Sequence, residues 1–126
     1  MSKQNLYLGK TGEEAAVGFL RNNGYKILAR NYKTKLGEID IVAKDKDTLA
    51  FIEVKTRKSD RFGAPLESVI KSKQRQISKA TLAFLKENNL LDKKARFDVV
   101  SITYSNGAPK FNLIKDAFEL DYTFTY

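Results

Sequence analysis

The stretch "GEIDIVAKDKDTLAFIEVKTR", residues 37 to 57, constrains the fold more than any other part of the chain. Two runs rich in Ile, Val and Phe flank the polar turn "KDKDT", the pattern of two antiparallel strands joined by a tight hairpin. With residues 45 to 48 as the loop, Lys44 closes on Leu49, so that Asp40 faces Glu53 and Glu38 faces Lys55. Alternation then puts Glu38, Asp40 and Val42 on one face with Phe51, Glu53 and Lys55, and Ile39, Ile41, Ile52 and Val54 on the other. The apolar face is core. The charged face sets two carboxylates opposite each other with Cβ atoms about 4.5 to 5.5 Å apart, which is destabilising unless something neutralises them. A divalent cation held by oxygen ligands would do so, and so would lysines on a solvated sheet face. A bulge in either strand would shift this register.

The flanking segments supply the rest of the fold. Residues 10 to 23 carry Ala16, Val17 and Leu20 at helical spacing, and Asn23-Gly24 stops the run. "YKILARNYK" reads as a strand leading into the hairpin. After "DRFGAP" an amphipathic helix is expected from about Pro65 to Asn88, with the apolar stripe Leu66, Val69, Ile70, Ile77, Ala80 and Phe84. "RFDVVSITY" and "KFNLI", separated by an Asn-Gly turn, are the fourth and fifth strands. The order αβββαββ, hairpins followed by a helical crossover, predicts an α/β fold with a mixed sheet flanked by helices. A chain of 126 residues with 42% hydrophobic content and two prolines suits a single domain spanning residues 1–126. No apolar stretch approaches the roughly 20 residues needed to span a bilayer, and "MSKQNLYLGK" lacks the apolar core of a signal peptide, so a cytoplasmic location is expected.

Two positions put polar groups on faces that helical spacing marks as inward. Glu13 precedes Ala16, Val17 and Leu20 by three, four and seven residues and points with them toward the sheet, whereas Glu14 turns away to solvent. Lys73 lies within the apolar stripe of the long helix. A buried ammonium needs an opposite charge, and the alternative is a stem that reaches the rim.

The chain contains neither histidine nor cysteine, which removes Ser-His-Asp and Cys-His nucleophilic systems and the usual zinc sites. Carboxylates, carbonyls and lysines remain, a donor set suited to Mg²⁺ or Mn²⁺ acting on phosphates. The formal charge is +8, and eight Lys and Arg stand against two acids between Lys55 and Lys79. Such a patch attracts polyanions, nucleic acid first, unless it serves only as a solvated surface.

Glu13 on a first helix, Asp40 on a strand, then Glu53-Val54-Lys55 and a polar helix together resemble the PD-(D/E)xK nuclease signature. More narrowly, "GEEAAVGFLRNNGYKILARNY", "GEIDIVAKD", "FIEVKTR", "FG", "KSKQ", "RFDVV" and "IKDAF" are similar to the YraN-type family of bacterial proteins. That family is regarded as a group of predicted nucleases related to archaeal Holliday junction resolvases. The resemblance runs from about Gly9 to Phe118, with Glu38 standing where the signature's name has proline.

The resemblance implies a restriction-endonuclease-like three-layer core and a phosphodiesterase site at Glu13, Asp40, Glu53 and Lys55, the four residues that charge and periodicity single out. In such a site Asp40, Glu53 and the Val54 carbonyl hold Mg²⁺ or Mn²⁺, with Glu13 bound directly, through water or at a second ion. Lys55 positions the attacking water, and Lys73, with Gln74 or Gln76 beside it, steadies the phosphate or Glu53. Arg57, Lys58, Arg61, Lys71, Arg75 and Lys79 are the candidate DNA-phosphate contacts, which fix position and carry no base specificity. Tyr25, Tyr32, Phe62 and Tyr104 would either stack on unpaired bases or belong to the core.

The expected function is therefore a metal-dependent DNA endonuclease, acting on branched or otherwise non-standard DNA. Two other readings stay open: a non-catalytic DNA-binding module of the same fold serving repair, recombination or uptake, and a protein-interaction domain with a solvated charged face. The tail "FELDYTFTY" alternates like a strand and would either pair with the sheet edge of a second subunit, giving a homodimer, or fold onto its own chain.

Overall fold

The chain is described by a computed structural model at residues 3–57, 71–105 and 107–119. A five-stranded sheet runs in the order β1 (Lys26–Lys33), β2 (Glu38–Asp45), β3 (Thr48–Arg57), β4 (Lys94–Ser105) and β5 (Ala108–Ile114). The first three strands form an antiparallel meander. The chain then crosses over through α2 (Lys71–Glu87), so β4 runs parallel to β3, and β5 returns antiparallel. With α1 (Lys3–Asn22) ahead of β1, the order is αβββαββ around a mixed sheet, as the sequence predicts.

One helix covers each face. On one side Ala16, Val17 and Leu20 of α1 pack with Ile41, Ala43, Ala50, Ile52, Val100 and Ile102. On the other, Ile77, Ala80, Phe84 and Leu85 of α2 pack with Val42, Leu49, Phe51, Phe97 and Val99. The stripe expected on α2 is buried at Ile77, Ala80 and Phe84, while Leu66, Val69, Ile70 and the expected helix start at Pro65 lie outside the described residues. Both helices end by a left-handed turn. Gly24 takes φ +88° and lets the Tyr25 N–H reach the Leu20 carbonyl at 3.0 Å; Asn89 takes φ +56° and lets Leu90 reach Leu85 at 2.8 Å.

Two boundaries differ from expectation. Helix α1 starts at Lys3, not Lys10, because it continues through Gly9 and Gly12, whose low helical propensity makes the segment read as a break. A Cβ at Gly12 would meet the Thr56 hydroxyl, which would have to turn aside, so the glycine suits the close approach of α1 to β3. The central hairpin closes one pair further than expected, with Asp45 opposite Thr48 and Lys46 at φ +57° in the two-residue turn.

At the β4 end of the sheet the carboxylate of Asp98 is fully buried in a polar network. It accepts hydrogen bonds from the Tyr25 hydroxyl (2.9 Å), the Arg96 guanidinium (2.8 and 3.0 Å) and the Asp116 N–H (3.0 Å). Arg96 also reaches Asp45 at 2.8 Å, where Lys115 joins at 3.1 Å. The network ties Tyr25, just ahead of β1, and strands β2 and β4 to the segment after β5, which folds back so that the Ala117 N–H donates to the Phe97 carbonyl at 2.7 Å and Phe118 stacks on Phe97.

Arg96→Met is expected to destabilise the fold by about 3 kcal/mol, because Asp98 stays buried with its main counter-charge gone; urea unfolding measures it. Gly37→Ala is expected to cost about 2 kcal/mol in the same assay. A Cβ at Gly37 would lie 2.8 Å from the Gln76 carbonyl carbon in α2 and closer still to its oxygen, both backbone atoms that cannot rotate aside.

Candidate functional site

The β2–β3 ladder holds the expected register from Asp45 with Thr48 to Ile41 with Ile52 and then ends. Asp40 does not face Glu53 across it, nor Glu38 Lys55. Glu38 pairs instead with Lys33 of β1, while β3 continues alongside β4 as far as Arg57 with Thr103. The two strands fork. At the fork the Val54 N–H, which a ladder partner would otherwise receive, donates to Asp40 Oδ2 at 2.8 Å. A strand residue directs its N–H and C=O to the same edge, so the Val54 carbonyl also faces the gap.

Irregular backbone in β1 and β2 accompanies the fork. Asn31, across from Asp40, has φ +52°, and the β1–β2 register passes from Arg30 with Ile41 to Tyr32 with Ile39 without pairing the two residues between. Side-chain alternation breaks at this point. Ile39, expected on the face of Ile41, Ile52 and Val54, packs on the opposite side with α2, while Ile41 stays beneath α1. Freed from regular alternation, the Asp40 carboxylate swings to the edge of β3 and meets Glu53 there.

The electrostatics follow from burial. Desolvation, then the Glu53 carboxylate, push the Asp40 carboxyl up to about 7, and the protonated form hydrogen-bonds Glu53. Glu53 is the more buried, with 7% of its side chain exposed, and two ammoniums converge on its Oε1: Lys55 at 3.5 Å and Lys73 at 3.9 Å. Lys73, on α2, is 36% exposed, so its stem reaches the rim as the alternative has it, with the ammonium still in ion-pair range of Glu53.

Glu13 and Glu14 divide as helical phase predicts. Glu14 is exposed and pairs with Arg30 at 2.7 Å. Glu13 is half-buried beside the fork, where burial and then the Asp40 charge raise its carboxyl while the Asn31 side chain hydrogen-bonds to it. Asn31 is the site residue that sequence reasoning missed; an asparagine interrupting the strand "ILARNYK" is the only signal it leaves, since Asn tolerates left-handed backbone.

The basic residues are distributed around this centre. Lys71, Arg75 and Lys79 recur every four residues along α2, on the side turned away from Ile77, Ala80 and Phe84, and Arg57 ends β3. Lys58, Arg61 and Phe62 lie outside the described residues. Gln74 is half-buried and Gln76 exposed on α2. Of the aromatics, Tyr25 is buried with its hydroxyl on Asp98, Tyr32 packs edge-on against Phe84 with its hydroxyl on Glu87 at 2.7 Å, and Tyr104 packs against the α1-side core. All three pack against the body of the protein, Tyr25 buried and Tyr32 and Tyr104 half-buried.

Two carboxylates, a strand carbonyl and no softer ligand suit a hard divalent cation. Asp40 keeps Oδ1 beyond its Val54 bond, and a cation in the fork would favour its ionised form. Among the described residues no three carboxylates converge closely enough to enclose an ion, which leaves the Glu13 side open.

The raised Asp40 carboxyl sets a stability profile. A group whose pKa is higher folded than unfolded favours folding below its ordinary value, and that contribution is lost as pH rises through the folded value. Without added metal, the wild-type melting temperature is expected to fall between about pH 4 and 7 through this group, by several degrees. Asp40→Asn keeps an acceptor for Val54 and an amide donor for Glu53; it is expected to flatten that profile and melt higher than wild type at neutral pH. Thermal melts in chelator across this range measure both effects.

The profile of the Uncharacterised protein family UPF0102 matches residues 12–102, which include Glu13, the fork, Lys73, Arg96 and Asp98. A UPF0102 protein of Geobacter metallireducens is 52% identical over 122 residues, covering 97% of this chain and 100% of that protein. Similar proteins of Syntrophus aciditrophicus and Geotalea uraniireducens are 48% and 50% identical over 119 residues, each covering 94% of both chains. This chain belongs to the UPF0102 family.

Proposed function

We propose that this protein is a metal-dependent DNA endonuclease that hydrolyses phosphodiester bonds at the β2–β3 fork. The observation that carries the reading is the buried Asp40–Glu53 pair, with two lysines on Glu53, at a place where the sheet gives up backbone pairing to form it. A pair of acids this costly to bury has no packing role to explain it.

Asp40, Glu53 and the Val54 carbonyl would hold Mg²⁺ or Mn²⁺, with Glu13 completing the set directly or through water. When bound, the ion supplies Lewis acidity at the phosphoryl oxygen and a water acidic enough to ionise near neutral pH. Asp40 would hold the ion in its ionised form. Lys55, 3.5 Å from Glu53, orients the attacking water and offsets the negative charge that develops on the phosphoryl group. Lys73 fixes Glu53 from the α2 side. Arg57, Lys58, Arg61, Lys71, Arg75 and Lys79 contact backbone phosphates and give binding a steep salt dependence.

The lack of a third converging carboxylate among the described residues favours, as a second reading, a DNA-binding module that retains the fold without cutting. Cleavage assays on a four-way junction, a flap, single strands and plain duplex, with Mg²⁺ or Mn²⁺, separate the two. The expected outcome is metal-dependent cutting that falls more than about a hundredfold in Asp40→Asn, whose fold the melts report independently. Salt-sensitive binding with no cutting by either protein would establish the module.

A further inference from the structure

The turn between β1 and β2, residues 34 to 37, is tightly determined. The Thr34 hydroxyl accepts hydrogen bonds from the Leu36 N–H at 3.1 Å and the Gly37 N–H at 3.0 Å, and the Thr34 N–H donates to the Gly37 carbonyl at 2.8 Å. Gly37 in turn lies against the Gln76 backbone of α2. A turn held at both levels presents its side chains in fixed positions.

What it presents is unusual for a solvated turn. Leu36 is 57% exposed, one of three large hydrophobics so placed among the described residues. Lys33 and Lys35 flank it, and neither makes an ion pair with a described residue. Both lysines line a cavity of about 340 Å³ together with Glu38, Lys73 and Gln76. Lys73 connects that cavity to the fork, because its ammonium lies 3.9 Å from Glu53. An anion in the cavity would thus be the immediate neighbour of a phosphate at the acids.

We propose that this turn is a strand-discriminating element: Lys33 and Lys35 hold the backbone phosphate next to the scissile one, and Leu36 packs on a base face exposed where stacking is interrupted. The inference rests on the endonuclease reading and narrows its substrate to DNA with an open step, such as a junction, flap or bulge. Apolar wedges act on duplexes by unstacking a base step, and that cost vanishes where the step is already open. A rigid leucine between two lysines is therefore selective for discontinuous DNA, whereas the lysines alone bind any DNA.

The test uses the full chain with Ca²⁺ in place of Mg²⁺ to populate oxygen ligands. The probes are a flap DNA and a continuous duplex of equal length, each with 2-aminopurine at the position of the flap's open step. Wild type is expected to bind the flap roughly tenfold more tightly than the duplex and to change the 2-aminopurine emission of the flap. Leu36→Ser is expected to bring the affinity ratio near one and abolish the emission change. Lys33→Gln with Lys35→Gln is expected to weaken both complexes alike and lower the slope of log K against log salt by about 1, as loss of one phosphate contact requires, leaving the ratio intact. All three positions are exposed, and unchanged melting temperatures verify the fold. An unchanged ratio in Leu36→Ser, or equal affinities in wild type, would overturn the role of the turn and leave the endonuclease reading standing. Failure of wild type to bind either DNA would overturn both.

Discussion

A single hydrogen bond, from the Val54 N–H to the Asp40 carboxylate, organises the molecule. It replaces a ladder bond between two central strands, so the sheet is continuous on the Asp45 side of the fork and open beyond it. Past the fork β2 follows β1 and β3 follows β4, and each strand keeps a partner on its other side. The backbone therefore stays satisfied while one edge of Val54 turns to side-chain chemistry. Two carboxylates at such a position are costly alone. The raised Asp40 carboxyl and the ammoniums of Lys55 and Lys73 offset that cost.

The helices are positioned around this opening by missing side chains. Gly12 permits α1 to close on Thr56 of β3, and the next residue is Glu13. Gly37 permits the start of β2 to close on the Gln76 carbonyl of α2, one turn of helix from Lys73. Both approaches bring a charged residue to the fork from opposite faces of the sheet. The site is in this sense a place where three layers meet, with the acids contributed by α1, β2 and β3 and the cations by β3 and α2.

Much of this was legible in the sequence, because it follows from periodicity. The phase of Ala16, Val17 and Leu20 separates Glu13 from Glu14, the stripe of α2 assigns Lys73 an ionic partner, and hairpin alternation groups Glu53 with Lys55. The fork was not legible. Alternation encodes which face a side chain takes, but not where two backbones part, so Asp40 and Glu53 meet by a route other than direct opposition and Ile39 changes sides. Asp98 was hidden for a related reason: one acid in "RFDVVSITY" looks like an outward position of an alternating strand, and only the folded chain brings Tyr25, Arg96 and the Asp116 N–H around it. The start of α1 was obscured by glycines whose purpose is tertiary.

The Asp98 network also bears on how the chain reaches and keeps this structure. Its members come from the turn ahead of β1, from β2 and β4 and from the segment after β5, so it requires closures of 73 residues between Tyr25 and Asp98 and 70 between Asp45 and Lys115. The hairpins are local and can form early. The parallel register of β3 with β4 must follow, and the network can assemble only after that. Interactions made after the rate-limiting step raise the barrier to leaving the native state more than they hasten arrival. A network closed that late would act as a kinetic latch on the native topology, with Asp98 opposite Ile52 at the threshold of the fork.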